Sequence, residues 1–485
     1  MTRTFRNIIL TLLSLSFALF LSCQKAVQLE MNGWKPRVKK SLNDFMKENR
    51  NQGRYVVFDF DNTVSIGDIQ QQVELYQIFL MAFEMLPNEF TEMLNFHLGK
   101  YYPNEIADIS EDYRILYEKY GPFHKTGVLA TKLESMHGDD VWKDFSARLK
   151  AFFIDVRRDE RSQIKSAITF LMQRLFTPEE CYELAYRVCQ QFGQLDTEEH
   201  LWKTPGTLKR RSSEKQAMVS FGISVTQEVK ELWKALKENG IDIWVCSASH
   251  AEHVMAAIDY FELHNFCTGI IGTNMSYDEK GKLDLGFYQR GYEYIANPDG
   301  TWQKGIYRFD AQPRSEQKVS CIIQSIAPYY NGQKPIAAFG DSSSDFYFAT
   351  EFESVELVLY FNTGVSSTQN GLGLLSMLAL YEEEDLAYNY RKAKKAGDIL
   401  FLLQGRNENG RRTLIPSKGN IACGRKDEIL FGSFDCYHEL KYIKKSGMSI
   451  KDAVNSLSKK TSKDDSPFHI AYGWIDNYAG YKTRK

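Results

Sequence analysis

Proline is scarce in this chain, 12 of 485 residues. Its 32 glycines are no more than a folded protein uses, so collagen-like and low-complexity architectures are excluded. Neither sign of charge is in surplus. Sixty basic side chains face 62 acidic ones, a net of −2, which argues against a broad basic face for nucleic acid. Cysteine chemistry has little to work with: the eight cysteines include no CxxC pair, and the nine histidines show no metal-ligand spacing. Cys181 and Cys189 fall in a helical pattern that holds them about 12 Å apart, beyond disulfide reach. No internal repeat is visible, and no apolar run after residue 21 is long enough to span a bilayer. What remains is ordinary. The chain is 43% apolar and 25% charged, with length for roughly two to four domains and for a core that needs no disulfide staples.

The one long apolar stretch is at the start. Arg3 and Arg6 precede Ile8 to Leu21, which only Thr and Ser interrupt, and small Ser22 and Cys23 follow. The stretch is short for a span and resembles a bacterial lipoprotein signal. Residues 1–22 are therefore expected to be cleaved and Cys23 to be acylated. The mature chain then carries 58 basic and 62 acidic side chains, a net of −4. It is expected in the cell envelope, in the periplasm or on the outer membrane, anchored by lipid. If any disulfide forms, Cys423 with Cys436 is the pair expected first.

Tyr55 to Phe58 is a compact apolar run that reads as a buried strand. From about Ile69 to Gln194 the pattern is helical and aromatic-rich. From about residue 225, strands (241–246, 336–339, 355–361) alternate with helices (225–238, 251–261, 315–326), the last with Ser315 as N-cap. This predicts an α/β fold, a Rossmann-like open parallel sheet with a large helical insertion. The boundaries read as a lead-in (23–52), a core in two pieces (53–68 and 222–362), a helical cap (69–221) and a region of unassigned role (363–485).

Four acids stand at strand ends. The first strand runs into Asp59-Phe60-Asp61-Asn62-Thr63, and a later one into Gly340-Asp341-Ser342-Ser343-Ser344-Asp345; between them a strand ends in Ser247-Ala248-Ser249-His250. In open parallel sheets the ligand crevice lies at those carboxyl ends. Carboxylates converging there raise one another's pKa, and a hard divalent cation relieves the repulsion, Mg²⁺ being the natural candidate. His250 and His253 read as surface or helix residues, and Glu382 to Asp385 as a solvated helix face.

DFDNT at 59–63, Ser247 after a strand, Lys318 in a helix and GDSSSD at 340–345 resemble, in that order, the motifs of the haloacid dehalogenase superfamily of phosphohydrolases. The resemblance implies a phosphoaspartyl mechanism. Asp59 is then the nucleophile, and Asp61 the general acid and base. The carboxylates of Asp59 and Asp341 and the backbone carbonyl of Asp61 are implied to hold Mg²⁺, with Asp345 completing the shell or orienting its water. Ser247, Lys318 and Thr63 are implied on the phosphate side. Lys318 is also compatible with a solvated helix lysine, and Thr63 with a loop support.

The secreted setting, the DNT form of the first motif and the long cap resemble bacterial phosphorylcholine phosphatases within the phosphoserine-phosphatase-like branch. The substrate is expected to be a small phosphomonoester and the alcohol an amino-alcohol, choline first. Asp68, nine residues past the nucleophile, is the candidate partner for a cationic head group. Tyr76, Phe79, Phe83 and Phe90 offer aromatic faces, with Glu84 and Glu89 alongside. Val64 to Glu92 contains no Lys or Arg to meet a carboxylate, though a later cap residue such as Arg114 supplies one charge. A phosphoserine phosphatase and a non-catalytic surface lipoprotein remain open beside this reading.

Overall fold

The computed structural model describes residues 26–159, 161–162, 168–195, 197–282, 291–310, 312–362, 389–406 and 413–415, with short strands at 422–423 and 428–429. Pro36–Glu48 (α1) leads into Arg54–Phe58 (β1). An insertion follows: Ile69–Leu80 (α2), Pro87–Asn95 (α3), Pro103–Tyr120 (α4), Ala130–Gly138 (α5), Asp140–Arg158 (α6), a 3₁₀ turn Ile168–Gln173 and Pro178–Phe192 (α7). It closes with a hairpin of Glu198–Lys203 (β2) and Gln216–Phe221 (β3). Next come Gln227–Glu238 (α8), Ile241–His250 (β4), Ala251–Tyr260 (α9), Gly269–Thr273 (β5), Gly291–Ala296 (β6) and Trp302–Phe309 (β7). Gln317–Cys321 (α10), Ala337–Gly340 (β8), Phe346–Thr350 (α11), Leu357–Asn362 (β9), Tyr390–Ala396 (α12), Leu400–Arg406 (β10) and Leu414–Ile415 (β11) complete the main body. The strands Ala422–Cys423 and Glu428–Ile429 pair with each other.

Local chemistry explains many of the helix starts. α1, α3, α4 and α7 begin with proline, whose missing N–H is no loss in a first turn. Asp68 caps α2, Thr226 caps α8, and Thr177 with Glu180 forms a reciprocal capping box on α7.

Nine strands form one sheet in the order β11-β10-β9-β8-β1-β4-β5-β6-β7. Neighbours from β10 to β5 run parallel, and antiparallel strands close both edges. β1 is central. Phe58 stands level with Val245 of β4 and Phe339 of β8, and its ring stacks on Phe339 at 3.9 Å. The residues that follow these three strands therefore emerge side by side, which places the crevice.

One hydrophobic cluster covers the sheet and takes in α1, α8, α9 and α7. A second lies within the inserted helices, where Phe90 and Tyr113 stack at 3.9 Å beside Phe83 and Phe145. The insertion leaves and rejoins the core at one point: Ile66 N–H donates to Ser224 O at 2.6 Å, and Ser224 N–H returns the bond at 3.0 Å. The lead-in is tied down as well. Val27 N–H donates to Asn239 Oδ1 and Val27 O accepts from Asn239 Nδ2, while Lys35 N–H donates to Gln404 Oε1.

Several details depart from expectation. Ser315 is not an N-cap: its φ is +49°, and the helix begins after Glu316. That helix is only α10, and Ile322–Ile326 continues it as a π turn. β4 runs on to His250 instead of ending at residue 246. His250 and His253 are buried completely, not set on the surface. The sheet continues past residue 362 through β10 and β11. Cys181, Cys189, Cys246 and Cys267 are buried free thiols, and Cys321 is buried as well. No helix among the described residues is long and apolar enough to cross a membrane. Cys23, Cys436 and the acidic run 382–385 lie outside the described residues.

Candidate active site

The carboxyl ends of β1, β4 and β8 open into a cleft of about 580 Å³. Asp59, Asp61, Lys318 and Asp341 line its floor. Asp59 follows β1 directly, and its N–H donates to Phe339 O at 2.9 Å, which locks this position against β8. Gly340 ends β8 because a side chain there meets the Asp345 carboxylate: an added Cβ lies 2.6 Å from Asp345 Cβ.

Lys318 is fully buried, so the solvated-helix alternative falls. Its Nζ donates to Asp59 Oδ1 at 2.7 Å and to Asp345 Oδ1 at 2.5 Å. The other Asp345 oxygen accepts from the N–H groups of Asp341 and Ser342 and from Ser342 Oγ, at 3.1–3.2 Å. Asp345 thus anchors both the lysine and its own loop. Thr63 is buried and donates to Asp341 Oδ1 at 3.4 Å. It supports the acid loop, the alternative its sequence position left open, and is not among the residues lining the cleft.

Asp61 points away from this cluster. Oδ1 accepts from Ile69 N–H at 2.8 Å, and Oδ2 accepts from Ser249 Oγ at 2.5 Å. Ser247 Oγ sits 3.4 Å from the same oxygen and accepts from Ser249 N–H. Ser247 does not line the cleft; Ser249, two residues along the same strand face, does.

Charge and burial decide the electrostatics. Desolvation first, then the Asp345 charge, pushes Asp59 up to about 7 against the pull of Lys318. Asp341 is held well above the usual carboxylate range by burial, then by Asp345 and Asp59. Asp61 is also raised well above that range, by burial, then by Asp68 and Asp59. The Lys318 pKa is raised as well: burial disfavours its charge, but Asp345 and Asp59 more than offset it. Asp59, Asp341 and Asp345 each offer an oxygen, all within 4.8 Å of one another. Three carboxyl groups face a single ammonium there, so their ionised forms carry negative charge in excess. A hard divalent cation with oxygen ligands fits that site by charge and donor type.

The cleft walls carry residues that sequence reasoning missed. Arg157, Thr169 and Phe170 come from the insertion, and Gln312 and Arg314 from the stretch before α10. Arg157 Nη2 donates to Glu74 Oε2 at 2.5 Å, and fully buried Glu74 also accepts from Lys150 at 2.5 Å. Arg157 Nε is buried without a hydrogen-bond partner. Asp68 lines the cleft too, but both its oxygens accept from Gln71, from the backbone N–H at 2.9 Å and from Nε2 at 3.1 Å.

The expected aromatic cage does not form. Tyr76 packs on Phe192, Phe79 on Phe221 and Trp142, and Phe83 and Phe90 on Tyr113; none of the four lines the cleft. Apolar rings at helical spacing went to the cores, as burial favours. Glu84 pairs with Lys125, and Glu89 caps α3. Arg114 is exposed and pairs with Glu118.

No family model matches the sequence, and no curated protein matches it. Among solved structures, the chain is similar in fold to a conserved functionally unknown protein from Anaerococcus prevotii. That likeness has 20% identity, a TM-score of 0.61, and covers 81% of this chain and 98% of that one. A phosphoserine phosphohydrolase-like protein from Francisella tularensis matches at 15% identity and a TM-score of 0.26, over 64% and 87% of the two chains. Cytosolic 5′-nucleotidase IIIB bound to cytidine matches at 13% identity and a TM-score of 0.28, over 68% and 80%.

Proposed function

We propose that this chain is a Mg²⁺-dependent phosphomonoesterase of the haloacid dehalogenase type, acting on a small phosphorylated alcohol through a phosphoaspartyl intermediate. The observation that carries the reading is the division between two aspartates of one loop. Asp59 is paired with Lys318 on the cleft floor, and Asp61, its carboxyl raised, is held apart from it by Ser249 and Ile69. Lys318 pulls the Asp59 carboxyl back toward its charged, nucleophilic form against its burial, and a raised acid nearby is a proton donor.

In this reading an Asp59 oxygen attacks phosphorus and the bond to the alkoxide breaks. Asp61 gives its proton to that leaving oxygen. Asp61 then takes a proton from water as the water attacks, the bond to Asp59 breaks, and phosphate departs. Lys318 holds Asp59 in place and balances charge shared with the phosphoryl oxygens. Asp59, Asp341, the Asp61 carbonyl and Asp345 would hold the metal, which supplies further charge neutralisation when bound.

The walls favour an alcohol carrying opposite charges, a phosphoserine-like amino acid. Arg157 and Arg314 meet an anion and Asp68 an amine. Phosphorylcholine is the second reading, favoured by Asp68 and Phe170 on the same walls. Phosphate release from phosphoserine, phosphorylcholine and phosphoethanolamine, with Mg²⁺ or with EDTA, decides. No release from any ester with Mg²⁺ removes the enzyme reading and leaves a binding protein. We also propose that Cys23 is acylated. A Cys23→Ala protein should be exported but leave the membrane fraction on washing; wild type found in the cytoplasm with Met1 intact ends that proposal.

A further inference from the structure

The loop that carries Asp59 and Asp61 folds back on itself. Phe60 O accepts from the N–H groups of Thr63, Val64 and Ser65 at 2.9–3.2 Å. Asn62 sits at φ +58°, a conformation a non-glycine residue keeps only when its surroundings hold it. Two carbonyls of this knot, those of Asn62 and Ser65, end on one side chain. Arg406 Nη1 donates to Asn62 O at 2.6 Å and to Ser65 O at 2.9 Å.

Arg406 is the last residue of β10 and is 1% exposed. It reaches this loop from more than 340 positions along the chain. Its strand is fixed on both sides: β10 pairs with β9 over six residues, and Gln404 is bound to Lys35 and Gly33 of the lead-in. The clamp is therefore built into the sheet. A guanidinium suits it, since it keeps its charge when buried and presents several donors in a rigid plane.

We infer that Arg406 is a positioning residue for the nucleophile loop, acting on Asp59 and Asp61 through the carbonyls of Asn62 and Ser65. The inference rests on the phosphatase reading for its effect on turnover, but not for its effect on the loop. It makes the segment after residue 362 part of the catalytic unit.

The test uses the full-length protein with Arg406→Met and Arg406→Gln, each checked for folding by its circular dichroism melt. Amide hydrogen exchange at residues 63–65 should quicken about tenfold or more in Arg406→Met as the charged donor is lost, with β1 unchanged. For p-nitrophenyl phosphate, kcat should fall about 10²-fold with KM nearly unchanged, because displacing reacting groups by about 1 Å costs that much. Unchanged exchange at 63–65 overturns the inference, as does a folded variant with wild-type kcat. If the Met variant fails to fold, the Gln variant is read by the same two measurements. If neither folds, Arg406 serves the core and the positioning role is overturned. A wild type without turnover sinks the phosphatase reading instead, and exchange still decides Arg406.

Discussion

Lys318→Met is the sharpest perturbation of the cleft floor. It keeps a linear apolar side chain of similar length and deletes only the ammonium. That ammonium lies 2.7 Å from Asp59 Oδ1 and 2.5 Å from Asp345 Oδ1, with all three residues buried. At an effective dielectric of about 20, each contact is worth roughly 6 kcal/mol of gross Coulomb attraction. Much of that repays the cost of taking the charges out of water. Removing one partner of a buried pair leaves an uncompensated charge and costs about 3–5 kcal/mol net. Urea unfolding at pH 7.5 in EDTA should show a loss of that size. Adding Mg²⁺ should narrow the gap between variant and wild type, since a cation among Asp59, Asp341 and Asp345 replaces part of the lost charge. Turnover should drop by about 10²–10³, the usual effect of removing one charge-stabilising donor. A stability loss below about 1 kcal/mol, well under the range for a broken buried pair, would refute the account of Lys318 as the counter-ion of the floor.

Asp59→Asn should abolish turnover in a folded protein, because an amide does not attack phosphorus; activity within about tenfold of wild type, an effect near 1.4 kcal/mol, would take Asp59 out of the role. Asp61→Asn should cost about 10²–10⁴-fold on an alkyl phosphate and far less on p-nitrophenyl phosphate, whose leaving group needs no proton; equal losses on the two esters contradict the acid role. Arg157→Ala should raise KM for phosphoserine about tenfold or more through a lost charge-assisted bond, and leave phosphoethanolamine unaffected; parallel losses place Arg157 outside carboxylate recognition. His253 has its pKa held well below the ordinary value by burial and then by His250. Below about pH 6.5 the unfolded chain takes up a proton that the folded one refuses, so stability is lost as pH falls, by about 1.4 kcal/mol per unit. His253→Gln should therefore shrink the stability difference between pH 7.5 and pH 5.5 by about that amount, and an unchanged difference speaks against a neutral buried imidazole.

The parts of this molecule legible in its sequence are those where one strand makes its own case. The run Tyr55 to Phe58 and the acids after it announce a buried strand and a crevice, and the structure puts Asp59, Lys318, Asp341 and Asp345 together. Ser249 was within reach: alternation along β4 puts it on the face of Ser247, and it binds Asp61 more closely. The walls were not. Arg157 and Phe170 reach the cleft only through the packing of the insertion, which no local period encodes. Tyr76 and Phe90 illustrate the converse, since helical spacing marks a buried stripe without saying which core it joins. Arg406 carries no local signal, because its partners are backbone carbonyls that any sequence supplies.

The bond between Val27 and Asn239 bears on how the protein faces a membrane. Asn239 lies at the turn before β4, at the amino ends of the central strands, while the cleft opens at their carboxyl ends. Under the proposal that Cys23 is acylated, four residues would lead to Val27, a reach of at most about 14 Å. So short a tether would hold the amino end of the sheet against the lipid and turn the cleft toward the aqueous side. Such an orientation would suit soluble esters and would keep intact phospholipid head groups out of reach. A fluorophore placed on exposed Lys234 should be quenched by head-group-labelled vesicles, and one on exposed Ile306 should not; the reverse order would turn the molecule over.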